Sequence, residues 1–279
     1  MGNLFSFFGW GSRSGADLNT KKPLPESDPI VLESIIGGDD RVPVSDIGKE
    51  PWRKFVCLRI DYGGGIGALG TGVLIAPDMV LTAAHNLYSL KRRKFAASIL
   101  AEVGVFEGHS KASSRANRLE VCSTYTKHKP SDPNQYLSDY GVIRLADTSA
   151  YDWAKSHCDV ETLTPLSDTE LKATLLNLAG YPNHGASRPP VLYRHDGGVI
   201  HSTVSEKLFS YEIDTLPGQS GAPVFAYDAA TKQMRLAGIH VAGGTTANSA
   251  RRYNAAAQRD VKAWTKKLSK HKVRDFVGA

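Results

Sequence analysis

The sequence predicts an all-β protein built from two successive sets of short strands and closed by one C-terminal helix. Three observations carry that expectation. Short apolar runs alternate with turn signals such as Asp61-Tyr62-Gly63-Gly64-Gly65 and Ala76-Pro77-Asp78, the rhythm of strands joined by tight turns. The 26 glycines and 14 prolines supply those turns, and an apolar share of 41% is ample for a core. The period changes only near the end, where Ala257, Val261, Trp264 and Leu268 recur at helical spacing.

Residues 1–33 join a short aromatic opening to Gly, Ser, Pro and charge, and read as a flexible leader. From Ser34 the strand rhythm begins. A first set spans about 34–150 and a second about 160–250, the latter containing Leu175–Ala179, Gly198–Thr203, Leu208–Ile213, Ala222–Phe225 and Met234–Ile239. A helix over about 254–270 then lays one face on the strands. The whole of 34–279 is expected to be one folded unit.

Composition narrows the function classes. No apolar stretch approaches the roughly 20 residues that span a bilayer. Three cysteines, Cys57, Cys122 and Cys158, allow at most one intramolecular disulfide. None of them has a metal-ligand spacing, and the nine histidines form no zinc pattern. No metal and no cofactor is expected. The net charge of +6 permits attraction to nucleic acid or an anionic surface. The basic run Lys262–Arg274 nevertheless reads as a solvated helix face with a charged tail, because no aromatic residues interleave it beyond Trp264. No nucleic-acid partner is expected.

The chemistry lies in three strings. Leu81-Thr82-Ala83-Ala84-His85 places a histidine after an apolar run. Ser138-Asp139-Tyr140-Gly141 opens a second apolar run with an aspartate. Pro217-Gly218-Gln219-Ser220-Gly221-Ala222-Pro223-Val224 presents a serine in a glycine-flanked turn, where backbone N–H groups can converge on one oxyanion. His, Asp, Ser in this chain order resembles the trypsin/chymotrypsin-like serine peptidases. That resemblance implies two six-stranded antiparallel β-barrels of the chymotrypsin type, a triad of His85, Asp139 and Ser220, and an oxyanion hole from the N–H groups of Gly218 and Ser220. Asp132 is the weaker candidate for the acid, since it sits in a turn, Lys129-Pro130-Ser131-Asp132-Pro133.

A narrower resemblance is to the glutamyl endopeptidases, carried by Ser34-Ile35-Ile36-Gly37-Gly38, Gly70-Thr71-Gly72, Gly180-Tyr181-Pro182, Ile213-Asp214-Thr215-Leu216-Pro217 and Gly238-Ile239-His240. It implies a pocket in which Thr215 and His240 bind a substrate carboxylate, for which a hydroxyl and an imidazole N–H are suitable donors. The implied function is a serine endopeptidase, acting as a monomer on proteins or peptides, that cuts after Glu and less readily after Asp. Two alternatives stay open. Asp214, six residues before the serine, would suit a Lys/Arg pocket, and the fold could also be a binding module without catalysis.

Two features of the leader bear on maturation and location. Glu33 directly precedes Ser34, so an enzyme preferring Glu could convert its own precursor, a zymogen, by cutting between them. Met1-Gly2-Asn3-Leu4-Phe5-Ser6 also fits the pattern for N-myristoylation at Gly2. No positively charged start with a continuous apolar core marks a secretory signal. A secreted or translocated enzyme is expected, with a cytoplasmic or membrane-tethered one as the alternative. Membrane contact is expected only if Gly2 is acylated.

Overall fold

The computed structural model describes residues 33–185 and 188–270. The leader up to residue 32, with Gly2, and the basic tail from His271 lie outside the described residues. A two-residue strand, β1 (Val42–Pro43), comes first. Then follow β2 (Phe55–Asp61), β3 (Gly67–Ala76), β4 (Met79–Thr82), the small hairpin β5 (Tyr88–Ser89) and β6 (Lys94–Phe95), β7 (Ser98–Val103), β8 (Ala112–Val121) and β9 (Gly141–Leu145). Six of these strands close into a barrel in the order β2-β3-β4-β9-β8-β7, and every pair in it is antiparallel. Two six-residue helices absent from the periodicity reading, α1 (Ser149–Ala154) and α2 (Asp168–Ala173), lead into the second half.

That half contains β10 (Leu176–Gly180), β11 (Tyr193–Gly197), β12 (Leu208–Tyr211), β13 (Pro223–Asp228), β14 (Gln233–Gly243) and β15 (Asn248–Arg252). The all-β class and the first barrel match expectation. Where a second six-stranded barrel is expected, the strands form a seven-stranded sheet in the order β1-β11-β10-β13-β14-β15-β12. Two local causes account for this. Residues Val42 and Pro43 cross over to extend β11. Between β11 and β12 a turn at His201–Thr203 interrupts the pairing, so the far edges meet in a single bridge, Val199 to Tyr211.

Period-two alternation lets one strand fill two cores. On β2, Val56, Leu58 and Ile60 point into the barrel. Phe55 and Cys57 point the other way, into a cluster with Tyr181 and Phe225 that joins barrel to sheet. Each fully buried aliphatic side chain of this kind contributes about 1.5–3 kcal/mol. Cys57 thus packs as a small apolar group. All three cysteines are free thiols, and burial pushes the Cys158 thiol up to about 11.

The terminal helix α3 (Ala255–Ser269) is close to its expected span. The Asn254 side chain caps it by accepting the Ala257 N–H at 2.9 Å. Its buried face, Ala257, Val261 and Leu268, joins Leu81 and Val142 of the barrel and Ile239 and Val241 of the sheet in one cluster. Trp264 packs on Tyr140, whose hydroxyl donates to Asp260. The helix therefore braces the residue next to Asp139.

Candidate active site

The barrel register brings the first two motifs together. In the antiparallel pair of β4 and β9, Thr82 faces Gly141. His85 lies just past the end of one strand and Asp139 just before the start of the other, so both sit at the same end of the barrel. His85 Nδ1 is 2.6 Å from Asp139 Oδ2, and the His85 backbone N–H donates to Oδ1 of the same carboxylate at 2.9 Å. The hydroxyl of Tyr62 holds the His85 carbonyl at 2.6 Å. Asp139 is buried while the imidazole is partly exposed, a geometry in which the acid fixes the ring through Nδ1.

Asp132, the weaker candidate, lies elsewhere. It holds His128 Nδ1 at 2.7 Å and accepts the Asn134 N–H at 2.9 Å. These bonds draw its carboxyl below the usual carboxylate range, the backbone bond most strongly. His128 in turn lies 3.2 Å from the Ser138 hydroxyl. The set braces the loop that delivers Asp139.

Ser220 stands in the turn before β13. Gly221 has φ +85°, and a Cβ there would lie 2.1 Å from Thr82 Oγ1 and 2.3 Å from the Thr71 carbonyl. Gly218 has φ +102°, and a Cβ would lie 2.5 Å from the Tyr181 carbonyl. Only glycine fits at either position. Among the described residues no backbone carbonyl accepts the Gly218 or Ser220 N–H.

The pocket behind Ser220 contains an unforeseen occupant. The Ser220 hydroxyl donates to Oε1 of Glu33. His240 Nε2 lies 3.6 Å from the same oxygen, and both side chains are fully buried. Thr215 Oγ1 and Glu33 Oε2 are also buried and hydrogen-bond to no other described group. The segment after Glu33 is tied down along the pocket wall. Asn248 accepts the Ser34 N–H at 3.2 Å and donates to the Ser34 carbonyl at 2.8 Å. The Thr215 N–H donates to that carbonyl at 3.1 Å.

Asp214 is committed to the same segment. Its two oxygens accept the Ile36 N–H at 2.7 Å and the Asp40 N–H at 2.9 Å, and the residue is 1% exposed. Asp40, His195 and Asp214 bring possible ligand atoms within 4.8 Å of one another. Backbone hydrogen bonds already occupy this group, since His195 Nδ1 accepts the Asp214 N–H at 2.9 Å.

Sequence reasoning missed the residues that lock this arrangement. Thr71 donates its N–H to the Ser220 carbonyl and its hydroxyl to the Gly218 carbonyl, both at 2.8 Å, and accepts the Tyr181 N–H at 2.9 Å. Asn86 Nδ2 donates to the Ser220 carbonyl and to Thr82 Oγ1, both at 2.9 Å. The available signal was a threonine between two glycines inside an apolar strand, together with a polar residue directly after His85.

Comparisons with known proteins give the family and the fold. Residues 70–231 match the family model of the trypsin-like peptidase domain, and that span contains His85, Asp139 and Ser220. The chain belongs to the trypsin-like peptidase family, and within it the chain is similar to glutamyl endopeptidases. A glutamyl endopeptidase of Bacillus licheniformis is 27% identical over 221 residues, covering 79% of this chain. The chain spans 63% of that relative's length. An extracellular metalloprotease of Bacillus subtilis is 29% identical over 234 residues, 83% of this chain and 69% of its own. A solved Glu endopeptidase in complex with MPD has the same fold, with a TM-score of 0.68, 24% identity, and coverage of 84% of this chain and 99% of that one. A thermostable serine protease, AL20, gives a TM-score of 0.59 at 13% identity, covering 77% of this chain and 97% of that one.

The two aspartates separate cleanly in a mutational test. Asp139→Asn is expected to lower turnover by ~10⁴-fold through the wrong imidazole tautomer. Asp132→Asn, which removes one partly exposed ion pair, is expected to leave turnover nearly unchanged and to lower the melting temperature only slightly. Steady-state kinetics and a thermal melt of each variant check both statements. Equal kinetic damage from Asp132→Asn would contradict the assignment.

Proposed function

We propose that this protein is a serine endopeptidase that cuts after glutamate, and less readily after aspartate, through Ser220, His85 and Asp139. The observation that carries the reading is the buried Glu33 carboxylate between Ser220 and His240. Burying a carboxylate costs several kcal/mol unless donors meet it. A cavity that holds one beside the nucleophile is suited to the side chain of a substrate glutamate. Aspartate, one methylene shorter, reaches the donors less well. The similarity to a glutamyl endopeptidase points the same way.

In this reading Ser220 attacks the scissile carbonyl as His85 takes its proton, and Asp139 stabilises the imidazolium that forms. The Gly218 and Ser220 N–H groups hold the oxyanion, each contributing on the order of 3 kcal/mol. His85 then protonates the leaving amine, and water releases the acyl group. Lys/Arg specificity would need the Asp214 carboxylate open to the pocket, whereas two backbone N–H groups occupy it. A binding module without catalysis would have no need of the aligned His85–Asp139 pair.

Glu33 also supports a latent precursor. While its carboxylate fills the pocket, a substrate glutamate cannot enter. Ser220 meets the Glu33 side chain and not its peptide carbonyl, so a second copy of the enzyme makes the cut between Glu33 and Ser34. The new α-ammonium at Ser34, next to Asn248, then adds positive charge near the pocket. Extracellular action is in keeping with the name of the Bacillus subtilis relative. Acylation at Gly2 would instead tether the uncut form to a membrane, and the cut would release a soluble monomer.

Cleavage-site profiling on a peptide library, with fluorophosphonate labelling of Ser220, tests the activity and the specificity together. Cuts after Glu are expected, with Thr215→Val and His240→Ala each weakening them by about 1.5–3 kcal/mol. Cuts after Lys or Arg would refute the pocket, and an unlabelled Ser220 would refute the catalysis.

Maturation is read by N-terminal sequencing over time. Wild-type protein is expected to acquire Ser34 as its first residue, faster at higher concentration, while Ser220→Ala remains whole. Full activity from an intact Glu33→Gln protein would contradict the scheme.

A further inference from the structure

A histidine donates from Nε2 only if that nitrogen carries the ring hydrogen, and the hydrogen bond at the other nitrogen decides whether it does. His240 lies on β14 and Tyr211 ends β12, on either side of β15. The Tyr211 hydroxyl is 2.7 Å from His240 Nδ1, and both residues are fully buried. No other hydrogen bond engages the Tyr211 hydroxyl among the described residues, so its one hydrogen has two possible arrangements to satisfy.

In the first arrangement Nδ1 carries the ring hydrogen and donates to Tyr211. The phenolic hydrogen then has no acceptor, and the Nε2 lone pair faces a carboxylate oxygen 3.6 Å away. Both ends of the ring are in conflict. In the second, the phenol donates to Nδ1, and Nε2–H points at the carboxylate. Donors then face acceptors along the row from Tyr211 through His240 to Glu33 Oε1, and neither conflict remains. Burial, helped by the negative charge of Glu33, holds the Tyr211 hydroxyl well above the usual phenol range. The phenol therefore stays protonated and keeps its hydrogen to give.

We propose that Tyr211 is a positioning residue for specificity: without touching substrate, it fixes His240 as an Nε2–H donor and so makes the pocket select an acid over its amide. The inference rests on the carboxylate-binding reading of His240. Its logic is chemical. An Nε2–H donor gives a charge-assisted hydrogen bond to glutamate. The opposite tautomer presents a lone pair, which repels glutamate and accepts the side-chain N–H of glutamine. A single lost hydrogen at Tyr211 thus acts on both substrates in opposite directions.

The test compares kcat/KM for two peptides that differ only in Glu or Gln before the cut, using wild-type and Tyr211→Phe protein, each confirmed by N-terminal sequencing to begin at Ser34. Wild-type enzyme is expected to prefer Glu, and Tyr211→Phe to lower the Glu:Gln ratio by about tenfold, with the loss of Glu cleavage carried mainly in KM. A wild type without preference for Glu would overturn the carboxylate reading itself. A wild type that prefers Glu, with the ratio unchanged in Tyr211→Phe, would overturn only the role of Tyr211. Should the variant fail to fold, nitrogen-15 NMR of histidine-labelled Ser220→Ala protein decides the point. The Nε2–H tautomer at His240 supports the proposal, and the Nδ1–H tautomer contradicts it.

Discussion

The hydrogen bonds made by Thr71 are the constraint on which the rest of the site depends. This residue sits on a barrel strand, yet its N–H and hydroxyl hold the carbonyls of Ser220 and Gly218 across the junction with the second sheet. Thr82 and Asn86 complete the bridge, with the Thr82 hydroxyl on the Thr71 carbonyl at 2.6 Å. Each buried bond contributes only about 1 kcal/mol net, but an unmet partner costs about 1–3 kcal/mol. The bridge also occupies the carbonyls of the serine loop. His85 and Asp139 come from the barrel and Ser220 from the sheet. Without this bridge their relative positions would rest on apolar packing alone, which is non-directional.

A second constraint is the buried acid. Glu33, His240 and Tyr211 form a row with no solvent contact, anchored by the Ser220 hydroxyl at one end. Such a row persists only when its donors and acceptors alternate correctly. The same alternation that holds Glu33 would receive a glutamate from another chain. In the proposed scheme latency and specificity arise from one set of atoms, and the peptide bond after Glu33 is the link between them.

Much of this was legible in the sequence. Turn signals and apolar runs define the strands, and helical spacing in residues 254–270 gives α3 nearly to its ends. His85, Asp139 and Ser220 stand out because local motifs flank them. The closed second barrel did not follow, because pairing between β11 and β12 depends on the conformation of Gly198–Lys207, which no periodicity encodes. The roles of Thr71, Asn86, Asn248 and Tyr211 were not legible for a related reason. Their partners lie far along the chain, 147 residues away for the Thr71 bond to Gly218, and a lone polar residue in an apolar strand does not name its partner. Glu33 was legible as a cleavage point and not as an occupant of the pocket, since only the fold brings residue 33 against residue 220.

The account turns on whether the pocket beside Ser220 binds a carboxylate once Glu33 leaves it. Calorimetric titration of the full-length Glu33→Ala, Ser220→Ala double variant with acetyl-glutamate, acetyl-glutamine and acetyl-lysine measures this without turnover. The account predicts that the acid binds at least tenfold more tightly than its amide and that the lysine derivative does not bind. Equal binding of acid and amide, or tightest binding of the lysine derivative, would contradict it.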